Sequence, residues 1–545
     1  MKALSSREPV ARRSGIHGRV ADRARLGAGD RAVLFAFDDH AVPWRYRVRL
    51  QMHRPEKHAG NPILERGPAG AVDSRRMQCC PVVHDGERFR MWYIARDDGG
   101  AGRGRAKGGY ADVAPQVVHS YDTGRICYAE SDDGLTWTRP ELGLVEYGGS
   151  RRNNIVDLPP GSGNMDILYQ PDAPAERRYL MVNEYMAWRH RAGSALERPS
   201  ITLFAASPDG FRWTMLRDEP GAIGQHFECS CLYRYRGNYH VAGHIAPPMA
   251  YAPLQRHPAI WMVGAKMLAV WRSPTVDSWP LEMCVGFFKP MQSSSPFRTG
   301  WDREENHLGA YVTPYPNVCL AVTGQWHHPI TDAPPEHPDY LAAQVSADLG
   351  FAYSEDGVHF KEPAPGFTFV PRDQEMGWDR DFRGNTTDDH LIMIQGPMVN
   401  AGEETFIYYT AFTPTGDRME GRSNLGVARM PRERFGSLVT VADAAFGQVV
   451  TAVIGAGPET WLAANTAVEP GGHLQAALLD ADGLRELPGF TLGDSVPIRE
   501  SGFAQPIAWK GGQRLPEAGF RLRLRLTAAR LFAVELHRGT VDTSS

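Results

Sequence analysis

Apolar runs of four to nine residues alternate with short polar turns along most of the chain, at the spacing of strands rather than helices. Several runs end in one seven-residue phrase: Ser131-Asp-Asp-Gly-Leu-Thr-Trp137, Ser207-Pro-Asp-Gly-Phe-Arg-Trp213 and Ser354-Glu-Asp-Gly-Val-His-Phe360. A weaker copy runs Ser273-Pro-Thr-Val-Asp-Ser-Trp279, and a fifth position, LGVARMPRERF, keeps only a strand, a turn and Phe435. Successive copies begin 76, 66 and 81 residues apart, and Met430 follows Ser354 by a further 76. Asp and Gly accept tight-turn dihedrals, so each phrase predicts a hairpin whose aromatic returns on the next strand. Upstream of each phrase lies another apolar run: FRMWYIA, RYLMVNEY, NYHVAGH, VCLAVTGQW and TFIYYTAF. A further short run precedes each of these. Units of three or four strands repeated five times predict an all-β chain built on a five-bladed β-propeller.

Glycine (56) and proline (41) supply the turns such a fold needs, and no convincing amphipathic helix is found. The repeat stops near residue 445. The first 30 residues read as a disordered arm, 31–75 as a lead-in whose AVLFAF run supplies an outer or closing strand of the last blade, and 76–440 as the blades. Residues 446–545 alternate differently and predict a C-terminal antiparallel β-sandwich. The net charge of −4 argues against a nucleic-acid or membrane-surface partner. With no apolar run of membrane length and no secretory signal, the expected compartment is cytoplasmic. The seven cysteines sit mostly in apolar strands and read as buried free thiols. Neither a metal nor a cofactor is expected, since Cys229-Ser-Cys231 has no companion pair.

PEKHAGNPIL (55–64), CYAESDDGLTW and the tail LLDADGLRELPGF with AWKGG resemble the family 32 glycoside hydrolases and their propeller relatives, families 43, 68 and 130. The resemblance implies cleavage of a glycosidic bond in a central funnel, with a carbohydrate or small glycoside as partner. It also implies three carboxylates on the inner strands of blades one to three. Glu228 of Phe-Glu-Cys matches the general acid and Asp166 the transition-state stabiliser. In blade one the corresponding slot holds Gln78, which cannot act as a carboxylate, so Asp73, Asp38, Asp39, Asp388 or Asp389 would have to substitute. Asp73 completes the expected catalytic set. Gln78, His244, His307, Asp389, His390 and Trp326 are the expected sugar contacts. Two Arg pairs, Arg75-Arg76 and Arg151-Arg152, suit phosphate and keep a phosphorylase open, and Gln78 keeps open a binding propeller without catalysis.

Overall fold

A computed structural model of the protein describes residues 31–97, 124–158, 162–185, 201–216, 227–245, 267–279, 284–288, 309–327, 346–372, 391–413, 422–457, 459–512 and 514–539. The expected arm (1–30) and the Gly-rich stretch 99–109 lie outside these residues. The chain divides into two compact units, one of residues 54–314 and 319–432 and one of residues 1–53, 315–318 and 433–545.

The larger unit is a five-bladed β-propeller. Blade two runs outward as Ser162–Tyr169, Tyr179–Tyr185, Ile201–Ser207 and Thr214–Met215, and blade three as Phe227–Tyr235, Asn238–Ile245, Met267–Ser273 and Cys284–Phe288. Blade four is Ala310–Pro314, Cys319–His327, Ser346–Ser354 and Thr368–Val370. In blades one and five the inner strand is broken. Arg76–Gln78 and Val82–His84 both pair with Phe89–Arg96, which pairs with Arg125–Ser131. Likewise Leu391–Ile394 and Val399–Ala401 both pair with Glu404–Thr413, followed by Arg422–Pro431.

The repeated phrase builds the joints between blades. In the first copy the Asp133 carboxylate accepts the N–H groups of Leu135 and Thr136 (2.8 and 2.7 Å), and Ser131 Oγ accepts that of Gly134 (2.9 Å). These hydrogen bonds outweigh partial burial and hold the Asp133 pKa down at about 2. The glycine carbonyl at each joint is then capped by an aromatic donor from the preceding blade. Trp92 Nε1 donates to Gly210 O (2.7 Å), the Tyr233 hydroxyl to Gly357 O (2.6 Å), and the Tyr408 hydroxyl of blade five to Gly134 O of blade one (3.0 Å), which carries the contact around the ring. Gly210, Gly357 and Gly134 hold φ of +81°, +76° and +73°. A Cβ on Gly210 would sit 2.6 Å from the Trp92 ring. Gly210→Ala is therefore expected to cost about 2–4 kcal/mol, from left-handed strain plus overpacking. Urea unfolding measures this, and a loss within about 0.5 kcal/mol, the range of ordinary surface changes, would remove the joint from the list of stabilising contacts.

Ring closure differs from the expectation. AVLFAF does not join blade five: Arg31–Phe35 pairs with Arg521–Arg538 in the smaller unit. The outer strand of blade five is Glu56–Lys57, paired with Ala428 and Arg429. The clasp continues through PEKHAGNPIL. Asn61 Nδ2 donates to Val427 O and its Oδ1 accepts the Val427 N–H (both 3.0 Å), and Ile63 N–H bonds Leu425 O (2.9 Å). An Asn side chain thus presents both halves of a peptide to the strand. The fifth, phrase-less position needs no returning strand, because the N-terminal segment fills that place.

In the smaller unit, where the sequence suggests a separate C-terminal sandwich, hydrogen bonds define one continuous eight-stranded antiparallel sheet with strands from both chain ends. Its axis is the long antiparallel pair of Thr460–Leu479 and Arg521–Arg538. A two-stranded piece, Ser495–Val496 with Ala508–Trp509, accompanies it. Leu34, Leu438, Val449, Leu462, Leu478, Leu524 and Leu536 belong to its core. Arg31 is held by Glu433 and Glu535, and Asn317 pairs both ways with the Val33 peptide (2.9 and 2.6 Å).

Candidate active site at the propeller axis

Strand direction fixes where chemistry can sit. In each blade the inner strand and the next are joined at one end, and in blades one to four the third strand turns at that same end through the repeated phrase. The starts of the inner strands therefore gather at the opposite end. That end carries Arg76, Asn164 and Glu228, together with Arg96, Glu184 and His244 from the second strands.

The axis is closed by side chains a short way below this mouth. Cys79, at φ +48° in the break of the blade-one inner strand, donates through its thiol to Asn164 Oδ1 of blade two (3.4 Å). The Tyr311 hydroxyl of blade four is hydrogen-bonded with it, and the Cys79 N–H donates to the Gln395 side chain of blade five. Cys229 of blade three donates its thiol to Asn164 O (3.7 Å). A single residue on the axis thus meets three other blades. Burial pushes the Cys79 thiol up to about 11, so it stays protonated and serves as a donor. Cys79, Cys80, Cys127, Cys229, Cys231 and Cys319 are buried and free.

Gln78 and Asn164 form the polar side of this floor. Gln78 Nε2 donates to Gly163 O (2.6 Å), and Asn164 Nδ2 donates to Glu184 Oε2 (2.7 Å). Glu184 is fully buried. It lies near Cys229 as well, raising that thiol's pKa through its charge after burial has done so. Arg76 and Arg96 face each other in register, both buried, and both lower the Cys79 pKa through their charge. The mouth therefore combines amides, a carboxylate and two guanidinium groups. Among the described residues, no group of three or more His, Cys, Asp or Glu side chains is placed to hold a metal ion.

Asp166 lies two residues deeper than Asn164 on the same strand and has no solvent exposure. Its Oδ2 accepts the Leu232 N–H (2.8 Å) across the gap between blades two and three, and the Cys231 thiol also bonds the carboxyl. Its Oδ1 has no hydrogen-bond partner among the described residues. Burial pushes its pKa up to about 7, against the pull of those hydrogen bonds. Asp166 and Glu228 thus stand on neighbouring inner strands at different depths. Leu232 is four residues beyond Glu228, on the order of 10 Å along a strand.

Asp73 is buried elsewhere in blade one. Its Oδ2 accepts the Tyr93 hydroxyl (2.9 Å) and pairs with Arg139 (3.0 Å), while Asn154 Nδ2 and Arg139 Nε donate to the Tyr93 oxygen (2.9 and 3.0 Å). Glu228, His244 and Trp326 belong to described strands, with Glu228 opposite His244 and Trp326 opposite Ala347. Their side chains, and all of His307, Asp388, Asp389 and His390, lie outside the described residues. The arginine pairs separate: Arg75 and Arg76 are buried, whereas Arg151 and Arg152 are exposed, with Arg152 paired to Glu141 (3.0 Å). Trp92 is an interblade wedge, and His240 stacks on Tyr233 (4.9 Å) in the blade interior, its pKa lowered by burial to about 4.

Glu184 is the residue that sequence reasoning passed over. The signal was an Asn-Glu pair ending an apolar run, RYLMVNEY, at the mouth end of a second strand; inspection confined to inner strands does not reach it.

No family model matches the chain, and no curated protein sequence does. Among solved structures, it is similar to a member of the GH130 family of mannoside phosphorylases, described as containing glycoside hydrolases that target β-1,2 mannosidic linkages in Candida mannan (13% identity, 69% of this chain and 94% of that one, TM-score 0.41). It is also similar to a glycosyl hydrolase from Bacteroides ovatus (14%, 70% and 95%, TM-score 0.40). A third similar structure is an N-acetylgalactosamine deacetylase from F. plautii in complex with blood group B trisaccharide (11%, 70% and 96%, TM-score 0.40).

Proposed function

We propose that the chain is a glycoside-acting enzyme that cleaves a glycosidic bond at the mouth of the propeller axis, with carboxylates as acid and counter-charge. The observation that carries this reading is the Asn164–Glu184 pair beside Gln78, on the floor toward which Glu228 begins its strand. Planar amides and carboxylates at one level are what sugar hydroxyls require as partners. Glycoside cleavage further needs a proton for the leaving oxygen and a negative group facing the developing oxocarbenium ion.

In this reading Glu228 delivers the proton. Glu184 supplies the carboxylate that blade one, with Gln78, lacks. Asp166 sits beneath the floor as a buried acid whose charge state tunes the groups above it. Asp73 holds Arg139 and Tyr93 in place and does not meet substrate. A second reading, phosphorolysis, is favoured by Arg76 and Arg96, whose buried guanidinium groups suit a phosphate at the mouth.

The test is a panel of oligosaccharides and aryl glycosides given to the full chain with and without inorganic phosphate, read as free reducing sugar and as sugar phosphate. Reducing sugar released without phosphate is the expected result. Turnover only with phosphate selects the second reading. Sugars that bind calorimetrically while none is cleaved would leave a binding propeller and sink both.

A further inference from the structure

The smaller unit carries an aromatic face that propeller chemistry does not use. Four large apolar side chains among the described residues are exposed, and two of them, Trp44 (46%) and Tyr46 (42%), are neighbours on one edge strand. Two residues apart, they share a face, and their rings stack with centroids 6.0 Å apart and planes within 18°. Burial of the alternate positions explains the orientation: Val449, opposite Arg45, and Leu524, opposite Val449, belong to the core.

Sheet register shows what lies behind the rings. Tyr46 is opposite Gln448, which is opposite Arg525, which is opposite Gln475; Trp44 is opposite Val450, which is opposite Arg523. Directly opposed residues share a face, so rings, amides and guanidinium groups form one surface. Arg525 lies over Phe446 at 4.0 Å, and Arg47 over Tyr46 at 5.1 Å. Arg523 is paired with Glu486, whereas no ion pair involves Arg525 or Arg47 among the described residues. The Nε atoms of Arg523 and Arg525 are buried and find no acceptor among the described residues. Flat exposed rings beside guanidinium groups that have no ion pair among the described residues, those of Arg525 and Arg47, suit a ligand with both C–H faces and anionic oxygens.

From this we infer that the Trp44–Tyr46 face is a binding site for an acidic polysaccharide, sugar rings lying on the two aromatics and a uronate carboxylate reaching Arg525. The chain as a whole carries a net charge of −4, so attraction to a polyanion must come from a local face such as this one.

The test is native electrophoresis of the full chain through gels containing polygalacturonate or neutral dextran. Retardation by polygalacturonate, weaker in high salt and smaller in dextran, is expected. Replacing both rings (Trp44→Ala with Tyr46→Ala) should lower the apparent affinity about tenfold or more, the scale of losing a stacked aromatic contact. Arg525→Gln, which leaves the rings in place, should reduce polygalacturonate binding toward the dextran level. No retardation of the wild-type chain would overturn the assignment, as would full retention by the double variant while the melting temperature is unchanged. So would light scattering that finds a wild-type dimer and a monomeric double variant, since the face would then be a contact between copies.

Discussion

Glu228→Gln is expected to lower turnover of an unactivated glycoside by about 10²–10⁴-fold, the usual contribution of a positioned general acid. Gln keeps the shape and removes the proton. The loss should be selective: a substrate whose leaving group is a stabilised phenolate needs little protonation, so an aryl glycoside should lose much less. A pH–rate profile of kcat should also lose its alkaline limb, since that limb reports ionisation of the acid. Equal losses on both substrates, or an unchanged profile, would move the acid elsewhere, with Glu184 the first alternative because it stands at the same level beside Asn164.

The second large effect is on stability. Asp166→Asn is expected to make the protein more stable than wild type at pH 8, by up to about 4 kcal/mol, and to make almost no difference near pH 4. In the folded chain the Asp166 carboxyl keeps its proton up to about pH 7 because burial disfavours its charged form, whereas an unfolded Asp releases it near 3.8. Between those values the folded state holds more protons than the unfolded one. Stability contributed by the neutral carboxyl is therefore full below about pH 4 and is lost as pH rises toward 7. Asn is neutral throughout and escapes that loss. Urea unfolding of both proteins across this range measures the gap, and a gap that fails to widen with pH means the carboxyl is ionised and satisfied in place. Should Asp166 also tune the acid above it, the same variant will be stabilised and slower, a trade-off typical of residues kept for function rather than for folding.

The repeated phrase made the blades readable. Ser131, Asp133 and Gly134 act within four residues of one another through the turn's own hydrogen bonds, so their effect depends on local geometry alone. Their number and spacing then implied five sheets, and the aromatic at the end of each phrase implied a return on the next strand. Trp137 and Trp213 do return an indole N–H to the glycine carbonyl of their own turn (3.2 and 3.0 Å). The candidate site was legible only in part. Gln78 and Asp166 do lie on inner strands, but Glu184 belongs to a second strand, and the depth difference between Asp166 and Glu228 shows only in the contact of Asp166 with Leu232 across two blades.

What the chain's own order of residues determined is thus the repeated strand-and-turn unit and its number, because short-range turn chemistry and period-two burial are written into neighbouring positions. Tertiary structure alone decided which segment closes the ring and which side chains meet across blades at the axis. Asn61 finds Val427 across 366 residues, and Cys79 reaches Asn164 and Gln395 from different blades. Such contacts are selected by the packing of whole sheets against one another, where many local sequences fit equally well and only the assembled core distinguishes them.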